Sequence, residues 1–316
     1  MKKVLIADKA DAICEKVLKE KGLEPVVKTG MKPEELKACI AQFDAIIVRS
    51  ATTLTPDLIN AATNLKAIAR AGSGVDNIDV PSCTARKVVV MNTPFGNTVS
   101  TAEHAIAMMM AMARFIPQAN ASTHAGKWEK KKFEGVELTG KTLGIVGCGH
   151  IGSVVADRAM GLKMKVLAFD PAMTTERARE MGVKMVTLDE LYKNSDFITY
   201  HVVINPATKG MLNKEAIAKM KKGVRLINCA RGGIMAEADI KEALQSGQIA
   251  GLACDVYVKE PATEHIFFGM ENVIATPHIA ASTKDAQVTV ARQAAEQIAD
   301  YLLTGKMTHA INGDKI

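Results

Sequence analysis

Three ionisable side chains in the second half of the chain each follow an apolar run of strand-like composition. They are Arg231 after residues 224–228, Glu260 after residues 250–254, and His278 after residues 273–275. Because ligands of open parallel sheets bind beyond the carboxyl ends of the strands, we expect the three side chains to border one cleft. A histidine accepts protons near neutral pH, a carboxylate orients its ring, and an arginine holds a carboxylate and polarises a nascent carbonyl. The set predicts oxidation of a 2-hydroxy acid, with His278 taking the hydroxyl proton.

Each of these residues also has an ordinary explanation when it is taken alone. Arg231 fits a surface arginine after a turn, Glu260 a solvated loop acid, and His278 a hydrogen-bonded histidine beside a proline. The occurrence of three complementary chemical types at three strand ends favours the chemical interpretation.

A glycine-rich turn supplies the second signal, Gly147-Cys148-Gly149-His150-Ile151-Gly152. It lies between a predicted strand at 141–146 and a predicted helix, and a further strand at 166–169 ends on an acid. This order is typical of a dinucleotide-binding unit. Gly147 permits the tight turn, Gly149 lets the backbone approach a pyrophosphate, and Gly152 lets helix and strand pack closely. The N–H groups at the helix start would face the phosphates.

The acid at the end of the second strand, Asp170, indicates which dinucleotide is bound. A carboxylate at this position accepts hydrogen bonds from the ribose 2′-hydroxyl and repels a 2′-phosphate. Pro171 follows it, where an arginine would have favoured the phosphorylated cofactor. We therefore expect NAD and not NADP.

These residues must be positioned by alternating strands and helices. Strands are predicted at residues 4–7, 26–27, 45–48, 65–69, 88–91, 141–146, 166–169, 184–186, 197–200, 224–228, 250–254 and 273–275. Helices are predicted at residues 10–21, 33–42, 56–62, 98–114, 174–181, 189–194, 214–219, 237–245 and 283–303, with another after the glycine turn. This alternation predicts an α/β protein with parallel sheets.

The length of 316 residues favours two domains. We expect a doubly wound, Rossmann-like NAD-binding domain at 95–282. It is inserted into a smaller, flavodoxin-like α/β substrate domain made of 1–94 and 283–316. A methionine-rich stretch at 105–113 fits a buried core helix, with a subunit interface as the alternative.

Composition excludes several other classes. The net charge of +6 suits anionic ligands, but no basic stripe with interleaved aromatics predicts nucleic-acid binding. The six cysteines form no CxxC pair, so we expect reduced thiols, no metal site and a cytoplasmic location. The apolar runs at 4–7 and 105–113 are too short for a signal-peptide core and a membrane span, respectively, so we expect no membrane association.

Several segments, spread over nearly the whole chain, resemble the D-isomer-specific 2-hydroxyacid dehydrogenases. Besides the glycine turn they are Val48–Thr52, Arg70–Asn77, Met91–Pro94, Gly126–Phe133, Asn228–Gly233 and His278–Thr283. The segments around Arg231 and His278 are similar to the family broadly. Those around Arg49, Arg70 and Lys127-Trp128-Glu129 are similar to the branch that acts on phosphoglycerate. The resemblance implies oxidation of D-3-phosphoglycerate by NAD in serine biosynthesis, by a homodimer.

The resemblance also implies roles for individual residues. The catalytic set is Arg231, Glu260 and His278. The NAD contacts are Ser73, Gly147, Gly149, His150, Ile151, Gly152, Asp170, Val202, Cys229, Ala230 and Asp255. The residues near the substrate are Arg49, Ser50, Arg70, Gly72 and Ser73. A phosphorylated substrate requires cations, and Arg49 and Arg70 each end a predicted strand. Lys130-Lys131-Lys132 is an alternative source of cations, or a solvated face.

The sequence departs from the family pattern at two positions. Val202 stands where a threonine is usual, so a hydroxyl near the cofactor is lost while a backbone contact is retained. Ala280 stands where glycine is common. Two other functions stay open: reduction of another 2-oxo acid such as glyoxylate or hydroxypyruvate, and an NAD-sensing binding protein like the C-terminal-binding corepressors of the same family.

Overall fold

A computed structural model describes all of residues 1–316, and the chain divides into two compact units. Unit 1 consists of Met1–Asn97 together with Ser282–Ile316, and unit 2 of Thr98–Ala281. Unit 1 is therefore built from two stretches of chain that are separated in sequence by the whole of unit 2.

Unit 1 holds a five-stranded parallel sheet. Its strands are β1 (Lys3–Ile6), β2 (Glu24–Val27), β3 (Ala45–Val48), β4 (Ala67–Arg70) and β5 (Val89–Asn92). Its helices are α1 (Ile13–Glu20), α2 (Pro33–Cys39), α3 (Pro56–Ala61), α4 (Val80–Ala85) and, after unit 2, α12 (Lys284–Thr304). The strand order β2-β1-β3-β4-β5 is the flavodoxin-like order, which confirms the predicted fold class of this part.

The last residues of the chain complete the edge of this sheet. Beyond α12, Ala310 pairs antiparallel with Met91, and the Ile311 N–H donates to the Val90 carbonyl at 2.7 Å. The buried side chain of Asn312 accepts from the Val90 N–H at 2.9 Å and donates to the Val88 carbonyl at 3.0 Å. The backbone groups of β5 are therefore paired on both sides.

Unit 2 holds a seven-stranded parallel sheet. Its strands are β6 (Thr142–Val146), β7 (Lys165–Phe169), β8 (Lys184–Met185), β9 (Phe197–Tyr200), β10 (Val224–Asn228), β11 (Ile249–Cys254) and β12 (Val273–Ala275). Its helices are α5 (Thr98–Ala113), α6 (Ile116–His124), α7 (His150–Gly161), α8 (Thr175–Glu180), α9 (Leu188–Asn194), α10 (Lys214–Ala218) and α11 (Glu237–Ser246). Read from β8 to β12, the order is β8-β7-β6-β9-β10-β11-β12. Strands β7 and β8 extend the sheet on one side of β6, and strands β9 to β12 extend it on the other side. This doubly wound topology confirms the Rossmann-like prediction.

The methionine-rich helix α5 lies in the core of unit 2. Met108, Met109 and Met112 are buried in one cluster with residues of β6 and α7. This packing accounts for the apolar stretch by burial within the chain itself, as the core-helix prediction expected.

The sequence patterns missed two helices, α4 and α6. Helix α4 is only six residues long, and it begins where Asp79 accepts a hydrogen bond from the Ser82 N–H at 2.9 Å. Helix α6 buries none of its side chains, so it has no apolar stripe for a periodicity argument to detect. The other boundaries differ from the predictions by a few residues at most, the largest differences being at the first residue of α1 and the last residue of α2.

No helix combines the length and apolar character needed to cross a membrane. All six cysteines are free thiols, five of them buried and Cys39 partly so. No group of three or more His, Cys, Asp or Glu side chains is arranged to hold a metal ion.

Candidate active site

The glycine turn after β6 forms a cradle in which two of the three glycines have no room for a side chain. Gly147 has a φ of +87°, and a Cβ there would lie 2.7 Å from the His201 carbonyl oxygen. A Cβ at Gly152 would lie 2.2 Å from the Gly147 carbonyl oxygen. By contrast, a Cβ at Gly149 would meet no protein atom within 4 Å. The turn is therefore packed tightly on the protein side and open at Gly149.

The opening at Gly149 coincides with the start of helix α7. Gly149 is the N-cap residue and no side chain caps this end, while His150 and Ile151 are the first helical residues. Uncapped N–H groups and the positive end of the helix dipole favour an anion at this point. The open space and the donors together fit the pyrophosphate of a dinucleotide.

Asp170 lies beside the same turn, directly after β7. Its Oδ2 accepts from the Cys148 N–H and its Oδ1 from the Ala172 N–H, each at 2.8 Å. These bonds fix the carboxylate next to the cradle, where an acid that contacts a ribose is expected. Burial raises the pKa of the Cys148 thiol to about 11, and the Asp170 charge adds to the shift, so Cys148 is an un-ionised part of the wall.

Val202, Cys229 and Ala230 follow the neighbouring strands. A Cβ at Gly147 would lie 2.8 Å from a methyl carbon of Val202, which places Val202 against the glycine turn. Cys229 is buried, with its sulfur 3.9 Å from the sulfur of Met108. The Ala230 N–H donates to Asn228 Oδ1 at 3.0 Å, and Asn228 Nδ2 donates to the Arg231 carbonyl at 2.9 Å. Asn228, which we did not predict, therefore shapes the turn that carries Arg231.

Arg231 extends from the end of β10 in a half-buried position. Its backbone is extended, with φ −148°, and Nη1 donates to the Ala230 carbonyl at 2.7 Å. A Cβ on the next residue, Gly232, would lie 2.0 Å from the carbonyl carbon of Tyr257. This close backbone approach ties the turn after β10 to the loop after β11, which bears Glu260.

Glu260 and His278 form a direct pair. Oε2 of Glu260 lies 2.5 Å from Nδ1 of His278, and Oε1 accepts from the Tyr257 N–H at 2.9 Å. Because a carboxylate only accepts hydrogen bonds, the shared proton belongs to Nδ1, and Nε2 of the neutral ring is the proton acceptor. The arrangement is that of a general base oriented by a carboxylate.

A cavity of about 440 Å³ lies beside this pair, and Glu260 and His278 both line it. Its other walls are mainly apolar, including Tyr257, Phe267 and Pro277. About half of the His278 side chain is exposed, at 49%. The base is therefore accessible to a small molecule.

Asp255, at the end of β11, is fully buried beneath the loop that carries His278. Its carboxylate accepts from Thr276 Oγ1 at 2.6 Å and from the N–H groups of Ile279 and Ala280 at 2.8 Å each. Burial raises the pKa of Asp255, but these bonds and the nearby His104 outweigh burial and hold its pKa below the usual value. Both carboxylate oxygens are thus engaged inside the protein.

In unit 1, the carboxyl ends of β1 and β3 converge on Asp8. Its Oδ2 accepts from the Arg49 N–H at 2.6 Å, and its Oδ1 from Thr52 Oγ1 at 2.6 Å. Asn77 Nδ2 donates to the Arg49 carbonyl at 2.7 Å. Neither Asp8 nor Asn77 was among the predicted site residues, although Asp8 directly follows the first predicted strand and an alternating α/β pattern places such residues at the ligand-binding edge.

The guanidinium of Arg49 has spare donors. Nη1 donates to the Lys9 carbonyl at 2.9 Å, whereas Nε is buried without a hydrogen-bond partner. Burial lowers the pKa of Arg49, and Asp8 opposes that shift. Its neighbour Ser50 is exposed.

The remaining predicted residues of unit 1 lie at the end of β4. Arg70 Nη1 occupies the space that a Cβ on Gly72 would need. Ser73 Oγ donates to Asn97 Oδ1 at 2.7 Å, and Asn92 Nδ2 donates to the Ser73 carbonyl at 2.6 Å. The structure therefore brings the predicted residues together in two groups, one within each unit.

Comparison with known proteins settles the family. The NAD binding domain of the D-isomer specific 2-hydroxyacid dehydrogenases matches residues 106–280. The chain belongs to this family. The match covers the glycine turn, Asp170 and the Arg231–Glu260–His278 set, so unit 2 of this 2-hydroxyacid dehydrogenase family member includes its NAD-binding domain.

Proteins similar in sequence to this chain include enzymes named D-3-phosphoglycerate dehydrogenase. The human protein is 46% identical over 316 residues, which are 100% of this chain and 59% of the relative. That of Archaeoglobus fulgidus is 48% identical over 311 residues, covering 98% of this chain and 59% of the relative. The chain thus spans about three fifths of the length of these relatives.

Solved structures of similar fold carry more than one substrate name. A cofactor(NAD+)-bound 3-phosphoglycerate dehydrogenase of Entamoeba histolytica matches at 30% identity with a TM-score of 0.84, covering 98% of each chain. A glyoxylate reductase of Paecilomyes thermophila matches at 26% identity with a TM-score of 0.90, covering 99% of each. Fold similarity alone therefore does not select the substrate.

Proposed function

We propose that this chain oxidises D-3-phosphoglycerate to 3-phosphohydroxypyruvate with NAD, a reaction of serine biosynthesis. The observation that carries the proposal is the 2.5 Å contact between Glu260 and His278 in the family's NAD-binding domain. The relatives named D-3-phosphoglycerate dehydrogenase, at 46% and 48% identity, support the choice of substrate.

The chemistry divides between a hydride and a proton. A bound NAD would supply the acceptor for the hydride of the carbon that bears the hydroxyl group. Nε2 of His278 takes the hydroxyl proton, and Glu260 stabilises the resulting imidazolium through Nδ1. Arg231 holds the carboxylate of the substrate and polarises the nascent carbonyl oxygen.

We assign the cofactor to the cradle of unit 2. Gly147, Gly149 and Gly152 with the start of α7 would hold the pyrophosphate, and Asp170 the ribose. The other proposed contacts are Ser73, His150, Ile151, Val202, Cys229, Ala230 and Asp255. The carboxylate of Asp255 is already engaged by hydrogen bonds within the protein, and the side chain of Val202 has no hydroxyl group. We therefore expect both residues to contact NAD through their backbone atoms.

We assign substrate recognition to unit 1. Arg49 is the leading phosphate ligand because its guanidinium retains donors and two hydrogen bonds fix its backbone. Ser50, Arg70, Gly72 and Ser73 complete the proposed set. We also propose a cytoplasmic homodimer, as the family resemblance implies, with Trp128, which is 88% exposed, as a candidate interface residue.

A second candidate is reduction of an unphosphorylated 2-oxo acid. The observation in its favour is the TM-score of 0.90 to a glyoxylate reductase. The two functions share the histidine chemistry and differ in the need for a phosphate ligand.

The deciding experiment follows NADH loss with 3-phosphohydroxypyruvate, hydroxypyruvate, glyoxylate and 2-oxoglutarate at equal concentration. We expect kcat/KM to favour the phosphorylated acid by about 30-fold or more, because a charge pair with a half-buried cation contributes about 2 kcal/mol once the phosphate excludes water from it. A flat or reversed profile would select the second candidate. Tight NADH binding without turnover of any acid would instead indicate an NAD-sensing protein.

Arg49→Ala tests the phosphate assignment directly. We expect kcat/KM for 3-phosphohydroxypyruvate to fall about 100-fold and that for hydroxypyruvate to fall much less. Arg86→Ala is the matched control, since the Arg86 guanidinium also donates to a backbone carbonyl of unit 1, that of Asn60, at 2.6 Å. Equal losses for both substrates in Arg49→Ala would contradict a phosphate role.

A further inference from the structure

Helix α5 presents a histidine to the loop that carries the proposed catalytic base. Nε2 of His104 lies 3.3 Å from Thr276 Oγ1 and 3.6 Å from Asp255 Oδ1, and only 19% of its side chain is exposed. We propose that His104 is a positioning residue that fixes the orientation of His278 through Thr276 and Asp255. The part of this proposal that concerns turnover rests on the function proposed above.

The backbone of His278 needs support from its surroundings. Its φ of +53° lies in the left-handed region, which costs energy for any residue other than glycine. Such a conformation persists only where neighbouring contacts over-determine it. Any group that holds the chain on both sides of His278 therefore contributes to the position of its ring.

Asp255 is the group that holds both sides. Thr276, two residues before His278, donates its hydroxyl to Asp255, and the N–H groups of Ile279 and Ala280 donate to the same carboxylate. The Thr276 carbonyl in turn accepts from the His278 N–H at 3.1 Å and from the Tyr257 hydroxyl at 3.0 Å. We refer to Thr276, Asp255 and the N–H groups of Ile279 and Ala280 as the loop clamp.

His104 closes the clamp from the side of α5. When Nε2 carries a proton it donates to Thr276 Oγ1, which directs the Thr276 hydroxyl proton towards Asp255 Oδ1. The sulfur of Met108, one turn further along α5, lies 3.6 Å from the same hydroxyl oxygen and offers at best a weak alternative acceptor. His104 therefore fixes the direction of a hydrogen bond to a buried carboxylate, where a lost bond is costly.

The catalytic pair and the clamp share the turn after β12 but use different atoms. Glu260 holds the ring of His278 through Nδ1, while the clamp holds the backbone around it. Loss of His104 should therefore loosen the loop and lower kcat, and leave the binding of NAD at the glycine turn largely unchanged.

Three substitutions of His104 separate a hydrogen-bond role from a packing role. Gln places an amide nitrogen near the position of Nε2, Asn places it near Nδ1, and Phe fills the space without a donor. Glu103→Gln is the matched control, since Glu103 is an exposed neighbour on α5 whose carboxylate lies 3.9 Å from Arg158. All five proteins, including the wild type, are compared as full chains.

The primary readout is amide hydrogen exchange of the peptide that contains Ile279 and Ala280, measured by mass spectrometry. We expect exchange there to rise about tenfold or more in His104→Phe and His104→Asn, and to stay near wild type in His104→Gln and Glu103→Gln. In the enzyme assay, kcat should fall about 10- to 100-fold in the first two variants, since small misplacements of a catalytic group are costly. The Kd for NADH should change less than twofold.

The outcomes separate the inference from the proposed function. If the Gln and Asn variants exchange equally at Ile279 and Ala280, the inference is overturned, whatever their activity. If His104→Phe fails to fold, the Gln–Asn comparison still decides. If the wild type turns over no 2-oxo acid, the proposed function fails, and exchange still reports on the clamp.

Discussion

At the scale of single residues, His278 combines a strained backbone with a fixed side chain. Its φ of +53° turns the chain sharply after β12, and the 2.5 Å contact with Glu260 sets which ring nitrogen carries the proton. The sequence predicted the identity of both residues because each follows a recognisable strand. It did not predict the support from His104 and Asn228, since their partners depend on packing between elements that no local pattern encodes.

Substitution of the pair should show that the two residues act as a unit. We expect His278→Gln to lower kcat about 10²- to 10⁴-fold through loss of the general base. Glu260→Gln should lower kcat about 10- to 100-fold, because the amide oxygen still accepts from Nδ1 and water screens part of the lost charge at a side chain that is 33% exposed. Steady-state kinetics at saturating NAD measures both.

The double variant is the control for this prediction. Since the catalytic role proposed for Glu260 depends on the ring of His278, His278→Gln with Glu260→Gln should be no slower than His278→Gln alone. Losses that multiply would instead indicate that Glu260 contacts the substrate independently.

His201, next to the glycine turn, should make unit 2 less stable in acid. Burial lowers the pKa of His201 from 6.5 to about 4, and its Nδ1 is shielded from solvent without a partner. The unfolded chain therefore binds a proton between these pH values and the folded chain does not, so stability falls as pH drops through 6.5 towards 4. At pH 5 the cost is about 2 kcal/mol relative to neutral pH.

Urea unfolding at pH 7.5 and pH 5 measures this cost. His201→Gln keeps a donor for Thr199 but does not titrate, so its loss of stability on acidification should be smaller than that of the wild type by about 2 kcal/mol. His124→Gln, at an exposed position, should behave like the wild type. If acidification from pH 7.5 to pH 5 lowered the free energy of unfolding equally in all three proteins, His201 would be protonated in the folded state at pH 5, and the prediction would fail.

At the scale of elements, the strands were more predictable than the helices. Strands β3, β9, β10 and β12 have the predicted bounds, because buried parallel strands consist of short, continuous apolar runs. Helix α6 was missed because it buries no side chain, and α4 because six residues give too short a periodic signal. The elements that position the site are therefore the ones with the clearest sequence signals.

Substitution by alanine should have different effects on stability and NADH affinity at three glycines of this turn and helix. Gly152→Ala should destabilise the protein by about 1–3 kcal/mol, since its Cβ would lie 2.2 Å from a backbone oxygen, and NAD binding should weaken as well. Gly149→Ala meets no protein atom, so stability should change by less than about 1 kcal/mol while the Kd for NADH rises at least tenfold. Fluorescence titration with NADH and urea unfolding distinguish the two effects.

Gly161→Ala is the control on the same helix. It ends α7 with no atom near its missing Cβ, so alanine should be neutral or stabilise the helix by up to about 1 kcal/mol, with unchanged NADH affinity. If Gly149→Ala bound NADH as the wild type does, the pyrophosphate would have to be assigned elsewhere.

At the scale of the whole molecule, the alternation of strands and helices predicted both sheets, because each follows a parallel topology with few permitted orders. The pairing of Ala310 with Met91 was beyond prediction, since an isolated bridge of one residue carries no periodicity. A long helix was predicted at 283–303, close to the observed α12, and it supplies part of the core of unit 1 through Val290, Ala294 and Ile298.

The discontinuity of unit 1 predicts which fragments fold. Residues 98–281 contain a complete sheet and its core, so this fragment should fold alone, bind NADH and lack turnover. Residues 1–97 alone should not fold, because without α12 the sheet exposes the apolar face that Val290, Ala294, Ile298 and Leu302 cover, and without Asn312 the backbone of β5 loses its partners. A protein that joins 1–97 to 282–316 by a flexible linker should restore folding.

Circular dichroism and amide exchange of the three proteins test this prediction. Cooperative unfolding of 1–97 alone would contradict it, because it would show that the core of unit 1 is complete without α12.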